Sequence, residues 1–531
     1  MARSPRPDAT VPDASVFEYL FGGLGEGELD AVAIVDGTSG AETTYRQLVG
    51  QVSLLAGALA AREVAVGDVV ALLCPNVPAF ATVFHGILRA GATATTVNSL
   101  YTPEEIASQL TDSGATWFFT VSPLLPGAKA AAEQVGIADD HLVVLDGAEG
   151  HPSLRDLLGE GRPAPDISFD PAEHLAVLPY SSGTTGRPKG VMLTHRNLVA
   201  NVTQNIQAIG LEREDRVLAV LPFFHIYGMT VLLNYALKCR ASLVTMPRFD
   251  LAEFLRVIGE YRATWLFIAP PIAVALAKHP LVAQADLSSV KVVFSGAAPL
   301  DGALAEAVAD RLDCIVCQGY GMTETSPVTH VIPVDRPELD RSSIGHLLPS
   351  TEARVIDVET GSDVEVPAEG ASRPGEIWIR GPQVMKGYLG NPEATAEMLD
   401  ADGWLHTGDI ATVTADGVYR IVDRLKELIK YKGYQVAPAV LEAVLLAHPR
   451  IADAAVIGVP DEDGQEIPKA FVVVQAGADL TAEEVVAHVA EHVAPHEKVR
   501  AVEFIDVVPK STAGKILRKD LRARQAAASG A

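Results

Sequence analysis

Alternation is what most constrains how this chain can fold. Between residues 216 and 317, five apolar runs of strand character, at 216–221, 242–246, 265–269, 290–294 and 313–317, are separated by segments of helical patterning. Repeated strand–helix units build parallel sheets covered by helices. One such helix opens at Asp250, with Glu253 three residues on, the spacing of an N-terminal cap. The same rhythm runs from 45 to 120. Leu48, Val52, Leu55 and Leu59 share one helical face within Tyr45 to Ala61, and Val69 to Leu73 reads as a buried strand. Pro78 to Ala90 reads as a helix stopped by Gly91, and 93–97 as another strand. Thr102-Pro-Glu-Glu105 then combines an N-cap, a first-turn proline and a capping-box glutamate. From about 340 to 424 the texture changes to short strands and turns: Gly375 to Arg380, then Val413 to Val422 folded at Asp416-Gly417, a hairpin signal. Beyond Arg424 the chain mixes helix and strand around its own apolar set, Val440, Val444, Ala455, Val459, Phe471, Val473, Val486 and Val489. The reading is an α/β protein with a large N-terminal domain of helix-covered sheets at 1–424. It includes a small β-barrel-like subdomain at about 340–424, and a small α+β domain follows at 425–531.

Chemistry concentrates in Tyr180-Ser-Ser-Gly-Thr-Thr-Gly-Arg-Pro-Lys189-Gly190, where five hydroxyls, three glycines and a lysine occupy eleven residues. The stretch lies between the apolar runs 175–178 and 191–193. Glycine lets backbone approach an anion, hydroxyls add donors and the lysine adds charge, which together suit a polyphosphate. It is not the Walker A loop: counting from Gly183, Pro188 replaces the second glycine and Gly190 follows Lys189. Gln318 to Glu324 follows a strand and contains Gly319 and Gly321, which permit close approach to a flat ring. Tyr320 offers a face, Thr323 a donor and Glu324 a carboxylate for Mg²⁺. The G-x-G-x-x-G of a dinucleotide site is absent, because Glu324 stands at the third glycine.

With Pro222-Phe-Phe-His225-Ile-Tyr-Gly228, Gly403-Trp-Leu-His-Thr-Gly-Asp409 and Pro509-Lys-Ser-Thr-Ala-Gly-Lys515, these motifs resemble the adenylate-forming superfamily, in its order and from about residue 40 to 520. The superfamily holds acyl-CoA synthetases, luciferases and peptide-synthetase adenylation domains. The resemblance implies that a carboxylate attacks the α-phosphorus of ATP and that CoA then takes the acyl group from the adenylate. It puts Ser181, Ser182, Gly183, Thr184, Thr185, Gly186 and Lys189 on the phosphates, and Gln318, Gly319, Tyr320, Gly321 and Thr323 around the nucleotide. Asp409 and Arg424 would take the ribose, and Lys515 would be the adenylation lysine. His225 would lie beside the acyl carboxylate, with Tyr227, Phe294, Ala297, Ala298, Gly319, Pro327 and Val328 lining the acyl side. Lys426 matches the hinge to the small domain and Lys430 the lysine that contacts AMP during thiol transfer. Arg248, Lys432 and Gly433 fall on the CoA path. Among superfamily members the chain is most similar to bacterial 4-coumarate:CoA ligases, through His225-Ile-Tyr227, Ser295-Gly-Ala-Ala-Pro-Leu300 and Lys426-Glu-Leu-Ile-Lys-Tyr-Lys-Gly433. Phe294 stands where plant members carry a lysine that helps to bind the 4-hydroxyl. A 4-coumarate- or cinnamate-type acid and a medium or long fatty acid therefore stay open as substrates. So do a carrier-loading adenylation enzyme and an adenylate-binding sensor that has lost catalysis.

A chain of 531 residues with 48% hydrophobic residues can bury several cores. A net charge of −25 argues against nucleic acid and acidic membranes, so local lysines and glycine loops must bind the anionic ATP and CoA. No apolar run reaches the roughly 18 residues of a membrane span. The opening Met-Ala-Arg-Ser-Pro-Arg-Pro-Asp lacks the apolar segment of a secretory signal, and Ser529-Gly530-Ala531 is not a peroxisomal address. The expected location is the cytoplasm. Cys314 and Cys317 form a C-x-x-C without a second pair or clustered histidines, which reads as core packing rather than zinc or redox chemistry.

Overall fold

The computed structural model describes residues 2–181, 188–431, 434–461, 466–511 and 514–529. The alternating region forms a nine-stranded sheet. Its six-strand parallel core runs, in spatial order, Ile315–Gly321, Val292–Ser295, Trp265–Ile268, Arg216–Ala219, Ser242–Thr245 and Val32–Asp36. Antiparallel strands cap both edges: Val328–Val331 and His346–Leu347 at one, Glu42–Thr44 at the other. Each predicted strand of this region is present, ending within a few residues of its expected bounds.

A second, eight-stranded sheet carries Val69–Leu73, Thr93–Thr96, Trp117–Thr120, Leu142–Val144 and Leu175–Val177 in parallel. It finishes with Lys189–Thr194, which runs antiparallel and pairs with Tyr180–Ser181 and Gly387–Tyr388. Helices Tyr45–Ala60 and Pro78–Arg89 pack between the sheets, and Leu48, Val52, Leu55 and Leu59 are all fully buried. Thr102 caps the helix Pro103–Ser113 in a complete capping box with Glu105, as the sequence predicts. Asp250 accepts from the Glu253 N–H at the start of Leu251–Tyr261.

The third sheet is antiparallel and five-stranded, in the order Ala2–Arg3, Glu352–Ile356, Gly375–Arg380, Leu405–Val413 and Tyr419–Arg424. Its first strand lies at the extreme N-terminus, too short to leave a pattern in the sequence. The small C-terminal domain has its own core, including Leu441, Leu445, Val456, Val472, Val485 and Val489. There the strands Ile451–Pro460, Glu466–Val474 and Ala501–Phe504 support Pro438–Ala447 and Ala482–His492. One expected core residue is misplaced. Val440 is 38% exposed, in the first turn of its helix and off the stripe of Leu441 and Leu445 that faces the core.

Cys314 and Cys317 are free thiols, and burial pushes both up to about 12. Among the described residues no helix is long and apolar enough to cross a membrane.

Candidate active site

In a parallel sheet every loop after a strand emerges on the same side, so the carboxyl ends collect side chains from distant sequence. His225 follows Arg216–Ala219, Ala269–Pro271 follow Trp265–Ile268, and Ala297 and Ala298 follow Val292–Ser295. Gly319, Tyr320 and Gly321 close Ile315–Gly321.

Two carboxylates anchor this face. Asp409, 3% exposed, stands directly across the ladder from Arg424, whose Nε lies 3.1 Å from one Asp409 oxygen. Tyr320 Oη donates to the other oxygen at 2.6 Å. Each carboxylate oxygen can accept more than one bond, so Asp409 retains acceptor capacity. Burial and the Asp409 charge raise the Tyr320 phenol far above its ordinary range. Glu324 is also buried, and one of its oxygens accepts from Tyr388 Oη at 2.7 Å and Ser181 Oγ at 3.1 Å. The Lys189 ammonium lies 4.9 Å above the Tyr388 ring. Tyr388 was not anticipated; an isolated tyrosine in Gly387-Tyr-Leu-Gly390 carries no signal until Gly387–Tyr388 pairs with the strand carrying Lys189.

Lys515 enters from the small domain. Its hairpin is closed by bonds from Ser511 N–H to the Lys515 carbonyl (2.8 Å) and from Lys515 N–H to Ser511 Oγ (3.2 Å). Gly514 at its tip has φ +82° and faces Ala269 and Pro271 so closely that a Cβ there would stand 3.2–3.3 Å from them. Burial, then the Arg424 charge, lowers the Lys515 ammonium to about 8, against the opposing pull of Asp409, Glu427 and Glu324. His225 is brought to about 4 by burial and by the nearby Lys515 charge. It is therefore neutral near pH 7. Its Nδ1 accepts the Tyr227 N–H at 3.3 Å, which places the ring proton on Nε2 as a donor.

The expected acyl side is aromatic and tightly packed. Phe294 is 1% exposed and packs against Phe267 at 5.5 Å between ring centroids. Its ring covers Gly319, where a Cβ would come within 2.8 Å of it. Tyr227, also buried, donates its hydroxyl to the Phe294 carbonyl at 3.3 Å. Ala297 is exposed with φ +71°, and Ala298 is half-buried beside it. Pro327 and Val328 are buried beneath the Gly321–Thr325 turn. The Pro327 carbonyl accepts from Met322 N–H and Thr325 Oγ1, and Val328 is bonded by the Asn201 amide.

Other expected residues stand apart. The Gln318 amide is occupied by the Leu300 backbone and the Arg341 carbonyl, and its own carbonyl accepts the Ile332 N–H, so Gln318 is committed within the protein. Thr323 is half-buried in the turn before Glu324. Arg248, Lys426 and Lys430 are exposed, and the Lys430 N–H donates to Glu466. Ser182, Gly183, Thr184, Thr185, Gly186, Lys432 and Gly433 lie outside the described residues.

Known proteins resemble this chain in sequence and in fold. The model of the AMP-binding enzyme family matches residues 25–389, and that of the AMP-binding enzyme C-terminal domain matches 440–515. The chain is 41% identical to 4-coumarate--CoA ligase 5 of Oryza sativa subsp. japonica, over 99% of this chain and 97% of that protein. It is 40% identical to 4-coumarate--CoA ligase 4 of Arabidopsis thaliana, over 98% and 94%. Both relatives are plant proteins, where the sequence suggested bacterial kin. A solved anthranilate CoA ligase in complex with anthranoyl-AMP superposes with a TM-score of 0.89 at 27% identity, over 97% of this chain and 98% of that one. With a family model spanning most of its length and relatives of this identity end to end, the chain belongs to the AMP-binding enzyme family.

Proposed function

We propose that this AMP-forming acid:CoA ligase acts on a 4-coumarate- or cinnamate-type acid. The observation that carries the proposal is the convergence of Asp409, Arg424, Glu324, His225 and Lys515 beside a buried aromatic wall, in a chain about as long as relatives named for 4-coumarate. The neighbour that carries anthranoyl-AMP also favours an aromatic acid.

In the first step a carboxylate oxygen bonds to the α-phosphorus of ATP while the bond to pyrophosphate breaks. Lys515 bridges the carboxylate and the α-phosphate, where negative charge accumulates. His225 Nε2–H donates to the acyl carboxylate. Asp409 accepts the ribose hydroxyls, with Arg424 holding its orientation, and the Tyr320 ring covers the adenine. Ser181 to Gly186 and Lys189 take the β- and γ-phosphates. Glu324 would hold Mg²⁺, an ion that typically uses one or two carboxylates alongside phosphate oxygens, and would thereby neutralise phosphate charge. A single buried carboxylate next to a hydroxyl of the phosphate loop fits that need. In the second step the CoA thiolate bonds to the acyl carbon and the bond to AMP breaks. Lys430 then contacts AMP, and Arg248, Lys432 and Gly433 guide CoA. The small domain pivots at Lys426, so the division falls between 424 and 425. ATP and CoA are both available in the cytoplasm, the location we propose for the enzyme.

A panel of carboxylic acids scored for CoA-dependent AMP formation tests the assignment. An apolar pocket separates acids that differ by one hydroxyl by about 10²-fold at most, whereas a site built to bond that hydroxyl discriminates by about 10⁴-fold or more. With Phe294 in place of a cation, cinnamate and 4-coumarate should show kcat/KM values within the smaller range, and Phe294→Lys should shift the ratio towards 4-coumarate. A larger preference for 4-coumarate would reveal another polar contact. Decanoate or palmitate outperforming both aromatics would overturn the assignment.

A further inference from the structure

We propose that Asn76 and Thr96 are positioning residues for acid binding: from the eight-stranded sheet they hold the segment of the nine-stranded sheet that delivers His225. Asn76 follows Val69–Leu73, and Thr96 ends Thr93–Thr96. Both are buried, at 4% and 3% exposed. Asn76 Nδ2 donates to the carbonyls of Ala219 (2.9 Å) and Leu221 (2.8 Å), and its Oδ1 accepts the Phe223 N–H (2.8 Å). Thr96 Oγ1 donates to the Phe224 carbonyl at 2.7 Å. Two side chains thus bond four backbone groups in the six residues before His225.

The chain from 220 to 224 has left its strand and not yet entered the helical segment that begins after Tyr227. Buried backbone groups there have no ladder partners and must find others. Only an amide supplies both donors and an acceptor in one small side chain. An aspartate at 76 would face two carbonyls with no donor. Because the bonds are made before His225, they set where the imidazole stands relative to Tyr227 and Lys515. Neither Asn76 nor Thr96 is bonded to His225 itself, so their influence passes through the backbone. The sequence held a weak cue, since both sit at the carboxyl ends of parallel strands, where ligand sites gather.

The inference rests on the reading of His225 as a residue of the acid site. Thr96→Val preserves volume and removes one hydrogen bond; Thr96→Ser keeps the hydroxyl. In acid-dependent ATP–pyrophosphate exchange, Thr96→Val should lower kcat/KM for the acid about 5- to 10-fold, the worth of one buried bond. It should leave the KM for ATP within about twofold. Thr96→Ser should restore the acid parameter, and Asn76→Asp should lower it further than Thr96→Val. In a His225→Ala background, Thr96→Val should add nothing, as expected of residues acting through one group. Full additivity in that background, or a KM for ATP rising as much as that for the acid, would overturn the proposal. If His225→Ala itself leaves the acid kcat/KM unchanged, the reading of His225 falls and takes this inference with it.

Discussion

At Lys515 and His225, two basic groups stand near one another; the ammonium disfavours the imidazolium, while the Lys515 ammonium is itself disfavoured by burial and by the Arg424 charge. The imidazole gives way first, at about 4, while the ammonium persists up to about 8. Of this pair, pH 7 therefore leaves one cation and one neutral donor, suited to a substrate that brings both a carboxylate and a phosphate. The sign of the pH dependence follows. The ammonium form, on which the proposed adenylation role of Lys515 depends, is complete well below pH 8 and is lost as pH rises through that value. In the free enzyme, kcat/KM for ATP–pyrophosphate exchange should fall with rising pH above about 8, because kcat/KM reports the unliganded protein. Lys515→Ala should lower exchange about 10²–10³-fold, by analogy with removal of one preorganised donor. It should still convert supplied acyl-adenylate to thioester. An exchange profile flat to pH 10, or equal loss of both half-reactions in Lys515→Ala, contradicts this account.

The element that presents Lys515 is a hairpin whose shape depends on Gly514. A φ of +82° suits glycine, and Ala269 and Pro271 already crowd the space a side chain would need. A left-handed alanine costs about 1–2 kcal/mol before any contact is counted. Gly514→Ala should therefore reduce the population with Lys515 docked and slow adenylation by roughly 5- to 30-fold or more. Conversion of supplied adenylate to thioester should change far less, and a variant in which that step falls equally would show that the hairpin serves both reactions. A second element crosses between the domains. The helix Pro438–Ala447 has no side-chain cap at Ala437; instead Asp423, on the last strand of the five-stranded sheet, accepts the Ala439 N–H at 2.8 Å. Burial raises the Asp423 carboxyl, and the Arg518 charge opposes that.

For the whole molecule, one pocket must serve two reactions, and in this arrangement Lys515 is inside while Lys430 is exposed. A rotation about Lys426 would exchange them, since hinge closure concentrates its dihedral change in a few residues. Lys430→Ala should leave pyrophosphate exchange near the parent rate while CoA-dependent thioester formation drops. Lys426→Pro, which fixes φ near −65°, should trap one arrangement so that one half-reaction survives. Parallel loss of exchange and transfer in Lys430→Ala would count against domain alternation.

Much of this architecture can be read along the chain, because periodicity and capping are local. Val69–Leu73 and Gly375–Arg380 fall at their expected bounds, and the Thr102 capping box forms as its spacing predicts. The motif residues Asp409, Glu324 and Lys515 are likewise visible one by one. Their partners are not. Tyr388 beneath Lys189, Asn76 and Thr96 behind His225, and Pro271 against Gly514 lie far away in sequence. Nothing local marks them, since a lone Tyr, Asn or Thr has the same composition wherever it packs. Val440 and the Gln318 amide show the converse, an apolar residue left outside its core and a polar one spent on backbone. Local order follows from bonds and patterns within a few residues. The depressed pKa of Lys515 and the neutrality of His225 arise only when two sheets and a separate domain exclude water from the same small volume.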